Sequence, residues 1–216
     1  MPARRGQAGS LPREQTMKNR SMTAVELMAK LNADPDFVAR REQAEVTRQQ
    51  LVAEIQEAVA PLLEELRAAG CEITSISRLT SEPYPASAPH PRALPILLTH
   101  LGKPYQVEVR EIIAEALAVP EAKPQWPALL GLYRDETDAR VKDALAVAIA
   151  GVADDEVIDD VITLAREPRH GPSRVLLLRA IERSAAPGAR EALVDLQGDP
   201  ELAEEIQRIL AADDSV

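Results

Sequence analysis

From residue 22 onward the apolar residues of this chain fall three and four apart, the spacing of a helical face. In "MTAVELMAKLN" they are Val25, Leu27, Met28 and Leu31, which predicts a short helix. "ADPDFVARREQAEVTRQQLVAEIQEAVA" follows, with Asp34 placed as an N-cap and Pro35 at the first helical position. The first half of this long helix is strongly polar, and the second half sets Leu51, Ile55, Ala58, Leu62 and Leu66 on one seam. Pro61 predicts a kink or a restart, and Gly70 predicts the end. Residues 1–21 show no periodicity and are rich in Gly, Pro, Arg and Gln, so they are expected to form a disordered tail. Met17 and Met22 offer alternative starts. The organisation read from the pattern is a tail (1–21), a helical N-terminal segment (22–70), a Pro/Ser-rich connector opening on a turn of helix or strand (71–89), a repeat domain (90–212) and a C-terminal tail (213–216).

The repeat appears on stepping by 32 residues. Leu97, Leu129, Val161 and Leu193 share one column, and Leu98, Leu130, Ile162 and Val194 the next. A second helix in each unit keeps the same step. Val109 and Val141 open it, Ile113, Leu145 and Leu177 follow, then Ala116, Ala148 and Ala180, then Leu117, Ile149 and Ile181. Each unit is a pair of helices, and one pair cannot bury its apolar face without a neighbour. Trp126 aligns with Leu94 and Ile158, so it is expected to pack rather than to present a ligand platform. His100 stands in the column of Leu132, Leu164 and Leu196 and is expected to find a hydrogen-bond partner on the N-terminal helices.

The second helices, "VREIIAEALAV", "VKDALAVAIAGV" and "SRVLLLRAIERS", resemble those of HEAT repeats, where a Val-Arg or Val-Lys pair precedes Ala/Leu-rich turns. The first helices, "ALPILLTHL", "WPALLGLY" and "IDDVITLA", fit the same family, and the likeness covers about residues 90–212. "WPALLGLY" also carries the Trp, Leu, Gly and Tyr of tetratricopeptide repeats, but at a different spacing. The whole chain looks like bacterial HEAT-repeat proteins with a helical N-terminal segment. The resemblance implies an all-α fold: a short, right-handed HEAT-like α-solenoid of about four helix pairs, preceded by a helical segment with one long helix. In that family a basic residue near the start of each second helix commonly bonds between adjacent units. Arg110, Lys142 and Arg174 are the matching residues here, a structural ladder. HEAT arrays serve many roles, so the likeness speaks to architecture and not to function.

Charge narrows the partners. A net charge of −10 argues against nucleic acid and anionic membrane, since both need a basic footprint. Cys71 is the only cysteine, which excludes an intrachain disulfide and a cysteine metal site. The N-terminus has no apolar signal region, and no run reaches the length of a membrane span, so a cytoplasmic location is expected. His90, His100 and His170 lack metal-ligand spacing, and there is no Gly-rich phosphate loop, so no cofactor is expected.

Two stretches invite chemistry. "AREPRHGPSRVLLLRAI" holds His170, Ser173 and several arginines. Without a carboxylate to orient the histidine it reads as an interhelix turn, with Arg169 and His170 as surface contacts. "DDEVIDDV" gathers Asp154, Asp155, Glu156, Asp159 and Asp160. Its readings are a solvated helix start, with like charges four apart, a patch for a basic partner, and last a metal site, for which an EF-hand spacing is lacking. The buried stripe of the second helices leaves Glu111, Glu115, Asp143, Val147, Arg179 and Arg183 facing out. With no catalytic set, the expected function is a non-catalytic protein–protein interaction module whose partner is another protein with a basic surface. The long N-terminal helix adds a surface for self-association. An immunity or antitoxin-type protein capping a basic toxin is the alternative. A HEAT-like DNA glycosylase or lyase fits less well, because the repeat region is acidic and lacks a Cys or His cluster.

Overall fold

The computed structural model describes residues 23–80 and 91–213, and among these the chain is all-α, without a strand. The expected N-terminal tail, residues 214–216 of the C-terminal tail, residues 81–89 of the connector and His90 lie outside the described residues. The helices are α1 (Ala24–Asn32), α2 (Pro35–Ala68), α3 (Ala93–Leu101), α4 (Val107–Ala116), α5 (Trp126–Asp135), α6 (Ala139–Val152), α7 (Ile158–Arg166), α8 (Arg174–Arg183), α9 (Pro187–Leu196) and α10 (Ala203–Asp213).

The chain divides into two compact units, Met1–Gln50 and Leu51–Val216. In the first, Thr23 and Glu26 cap the start of α1 reciprocally. Helix α1 buries none of its residues, and Val25, Leu27 and Met28 are exposed. Asp34 caps α2 as expected, accepting from the backbone N–H of Asp36 at 3.0 Å and of Phe37 at 3.4 Å.

In the second unit the seam of α2 buries Val59, Leu62 and Leu66, with Ile55 packed against the core. The helix runs through Pro61 rather than breaking there. Proline removes one backbone donor and crowds the preceding turn. The buried residues on either side of it hold the turn helical. Gly70, at φ +86°, ends the helix, and the Cys71 N–H returns to the Leu66 carbonyl at 2.9 Å. The stretch after it opens on the expected turn of helix, which is packed rather than free. Cys71, Ile73, Ile76 and Leu79 are buried, and the 3-10 turn Ile76–Leu79 packs on α4. Residues 51–79 therefore belong with the repeats, a boundary that the polar first half of α2 marks better than Gly70 does.

The pairs α3/α4, α5/α6, α7/α8 and α9/α10 succeed one another, and α4 packs on α6 as α6 packs on α8. The 32-residue register holds: Ile113, Leu145 and Leu177 are fully buried at equivalent places, as are Leu97, Leu129 and Val161. Val194, at 51 % exposure, leaves its column in the last pair. Close stacking requires glycine at one point. A Cβ on Gly151 would lie 2.7 Å from the Ala118 carbonyl oxygen, where α6 passes the end of α4.

Candidate functional site

Three groups of residues compete for a functional role, and what each side chain already bonds decides between them. The ladder is the first. Arg110 donates to the Leu101 carbonyl at 3.3 Å and pairs with Glu136, beyond α5 in the next unit. Arg174 repeats this 64 residues on: it donates to the Ala165 carbonyl at 3.1 Å, to Asp199 at 2.6 Å and to Glu201. Only 1 % of Arg174 is exposed. Lys142 departs from the pattern. Its ammonium donates to the Glu136 carbonyl of its own unit at 3.0 Å and sits 5.0 Å from the centre of the Tyr133 ring. A lysine lacks the forked reach that lets the two arginines bond a carbonyl and a carboxylate together.

The acidic stretch is the second group, and it is not a helix start bearing paired like charges. Helix α7 begins at Ile158, and Asp154 to Val157 form a turn in which Asp154 accepts from the Glu156 N–H at 3.1 Å. Asp155 and Asp159 therefore do not share a helix face. Asp154 and Glu156 both pair with Lys123. Asp155 accepts from the Ser184 hydroxyl at 2.6 Å and the Ala185 N–H at 3.0 Å. Asp160 accepts from the indole N–H of Trp126 at 2.8 Å, so Trp126 is packed as expected and also hydrogen-bonded across units. Among the described residues only Asp159 of the five has no side-chain partner. Beside this turn a cleft of about 210 Å³ is lined by Ala153, Asp154, Asp155, Ala180, Arg183 and Ser184. Arg183, expected to face a partner, donates to the carbonyls of Ala150 and Ala153 and so caps the C-terminal end of α6.

The third group surrounds the Pro168–Ser173 turn between α7 and α8. His170 is not a surface contact: 3 % of it is exposed. A carboxylate does orient it, since Nε2 donates to Glu167 at 3.0 Å, while Arg169 pairs with the same acid and stays exposed. The imidazole lies 4.8 Å from the Tyr133 ring, and the Tyr133 hydroxyl is 2.8 Å from Ser173 Oγ, which donates to the His170 carbonyl at 2.9 Å. Burial pushes the Tyr133 phenol up to about 12 and the His170 imidazole down, the latter with help from the Lys142 charge. Tyr133, His170 and Ser173 are all buried, so no substrate reaches them, and Ser173 Oγ bonds a carbonyl rather than the imidazole. The group is a polar plug in the core, not a nucleophile with its base. The sequence placed Ser173 in the interhelix turn but not its link to Tyr133, although the repeat held the signal: Tyr133 shares a column with Leu101 and Ala165, and Ser173 with Val109 and Val141. His100 behaves as expected, buried, with Nε2 at 3.2 Å from Glu65 of α2 and Nδ1 at 2.7 Å from the Tyr105 hydroxyl.

Of the six residues expected to face out on α4, α6 and α8, Glu111 is half-buried and the other five are exposed, but fewer are left unengaged. Glu111 joins Glu108 in binding Arg140, and Arg183 is the helix cap already described. Glu115, Asp143, Val147 and Arg179 are exposed, and among the described residues none of the three charged ones forms an ion pair. Val147 is 41 % exposed in the middle of the three helices. Partial burial and then the neighbouring Glu111 raise the Asp143 carboxyl above its usual range. No three His, Cys, Asp or Glu side chains among the described residues converge to hold a metal ion, and no described helix is long and apolar enough to cross a membrane. Comparison with family models, with curated proteins and with solved structures returns no match to this chain.

Proposed function

We propose that the chain is a non-catalytic protein-binding module, a short HEAT-like α-solenoid whose second helices present the face for a partner protein with a basic surface. The single observation that carries this reading is the contrast between neighbouring columns. Ile113, Leu145 and Leu177 are fully buried, while Glu115, Val147 and Arg179, two residues on in each helix, are exposed and share no chemistry. A column that packing does not constrain, next to columns that it constrains completely, is where recognition can vary without harming the fold. Glu115 and Asp143 supply negative charge that no described ion pair neutralises, and Val147 adds an apolar centre. Exposed charge of this kind steers a partner of opposite sign and loses its reach beyond about 10 Å at 0.1 M salt.

The test is a double reversal, Glu115→Lys with Asp143→Lys, in the full chain. Partners cross-linked to the wild-type protein in extract are expected to be lost, and the salt dependence of their binding with them. The melting midpoint should hold or rise slightly, because neither carboxylate forms an ion pair among the described residues and Asp143 sits against the like-charged Glu111. A double reversal that keeps every partner in a folded protein overturns the reading of this face.

A further inference from the structure

We infer that His170 is a pH-sensitive joint between two helix pairs: when its Nδ1 takes a proton, the turn between α7 and α8 loosens its grip on α5 and α6. The geometry begins with an atom left over. Nδ1 is buried and has no hydrogen-bond partner among the described residues. Nε2 is committed to Glu167, so the neutral ring carries its proton there and leaves Nδ1 as a bare lone pair. A bare acceptor in this place is tolerated. A proton on it creates a buried donor with nothing to receive it, and a cation where water does not reach.

The surroundings decide the sign. From α6 the Lys142 ammonium faces the site over the Tyr133 ring. From the turn itself come Arg169, a second cation, and Glu167, the anion bonded to the ring and already shared between Arg169 and His170; Asp143 of α6 acts on the Tyr133 phenol rather than on the imidazole. From α8 the Arg174 guanidinium lies close enough to act on the Tyr133 phenol, and its charge is taken up by Asp199 and Glu201 on the far side. Helix α5 contributes the Tyr133 ring and hydroxyl. Thus two cations, Lys142 and Arg169, and one engaged carboxylate act on a ring that burial already disfavours as a cation. The turn packs on α6, α7 and α8 and touches α5 through the two rings, so a change at His170 is felt at the seam between the pairs.

The direction of the pH effect follows. In the unfolded chain His170 takes its proton below its ordinary value near pH 6.5; in the folded chain it does so at lower pH. The folded state therefore holds this contribution fully above about pH 6.5 and loses it as pH falls from there through the folded value. No partner is needed, so the inference stands apart from the proposed function.

The experiment compares the full chain with His170→Gln, which keeps a donor for Glu167 and cannot be protonated. Between pH 7.5 and 5.5 the wild-type melting midpoint is expected to fall further than that of the variant, by about 2–4 °C. Hydrogen exchange, corrected for intrinsic rates, should rise in α7 and α8 of the wild type alone over the same range. Equal pH dependence of the two proteins overturns the inference. Should the variant not fold, the wild type decides by nitrogen NMR of the imidazole: Nδ1 taking its proton at or above pH 6.5, or with no gain in exchange at α7 and α8, also overturns it.

Discussion

Arg174 carries more of the fold than any other charged residue described. It is buried, and it binds two backbone carbonyls and two carboxylates at once, joining the turn before α8 to the turn between α9 and α10. Arg174→Met keeps the aliphatic volume and removes all of these donors. Asp199 and Glu201 both reach solvent, which softens the loss, so the cost is expected near the lower bound for a broken buried pair, about 3 kcal/mol in denaturant unfolding. Arg110→Met should cost a similar amount: that side chain binds fewer acceptors, but its partner Glu136 is nearly buried and keeps only the N–H groups of Thr137 and Asp138. The acids of "DDEVIDDV" divide by their partners. Asp155→Ala removes the acceptor of Ser184 and Ala185 and should lower stability by about 1 kcal/mol. Asp159→Ala, at an exposed position without a side-chain partner among the described residues, should stay within about 0.5 kcal/mol of wild type. A reversed order in paired chemical melts would return the acidic turn to the list of binding surfaces.

Among the elements, α6 is the most constrained. It lies between α4 and α8, buries eight residues, and has a cap at each end: Asp138 accepts from the N–H of Arg140 and Val141, and Arg183 donates to its last carbonyls. Gly151 lets it pass close to Ala118. Gly151→Ala gains helix propensity but forces a methyl onto backbone, which cannot swing aside. The expected net effect is a loss of about 1–3 kcal/mol, read as a lower melting midpoint. A stabilised Gly151→Ala would show that α6 and the end of α4 are free to separate.

For the whole molecule, the division at Gln50 has a direct consequence. Residues 51–216 contain the buried seam of α2 and every helix pair, whereas α1 buries nothing. A fragment starting at residue 51 is expected to unfold cooperatively with a midpoint within about 2 °C of the full chain. A fragment starting at residue 71 loses Val59, Leu62 and Leu66 from the core, and its midpoint should fall far more, since each buried leucine removed costs about 2–5 kcal/mol. Circular dichroism melts of the two fragments distinguish a boundary at residue 50 from one at residue 70.

The repeat columns were legible in the sequence because burial in stacked helices is periodic. A residue such as Leu145 or Trp126 declares its place through the residues 32 before and after it. The ladder arginines, the cap at Asp34 and the stop at Gly70 were legible for the same reason: each acts within one turn or one register step. Pairings across the register were not. That Lys123 takes up Asp154 and Glu156, and that Asp155 ties down Ser184, depend on which loops meet when the pairs stack; Glu167, three residues before His170, was within reach of a local reading that passed it over. Those meetings decided that the densest acidic stretch is mostly occupied. They also buried His170 and left Glu115, Asp143, Val147 and Arg179 outward. A charge pattern states what a side chain offers; only the tertiary structure, by bringing loops about thirty residues apart within hydrogen-bond reach, decides what is already taken.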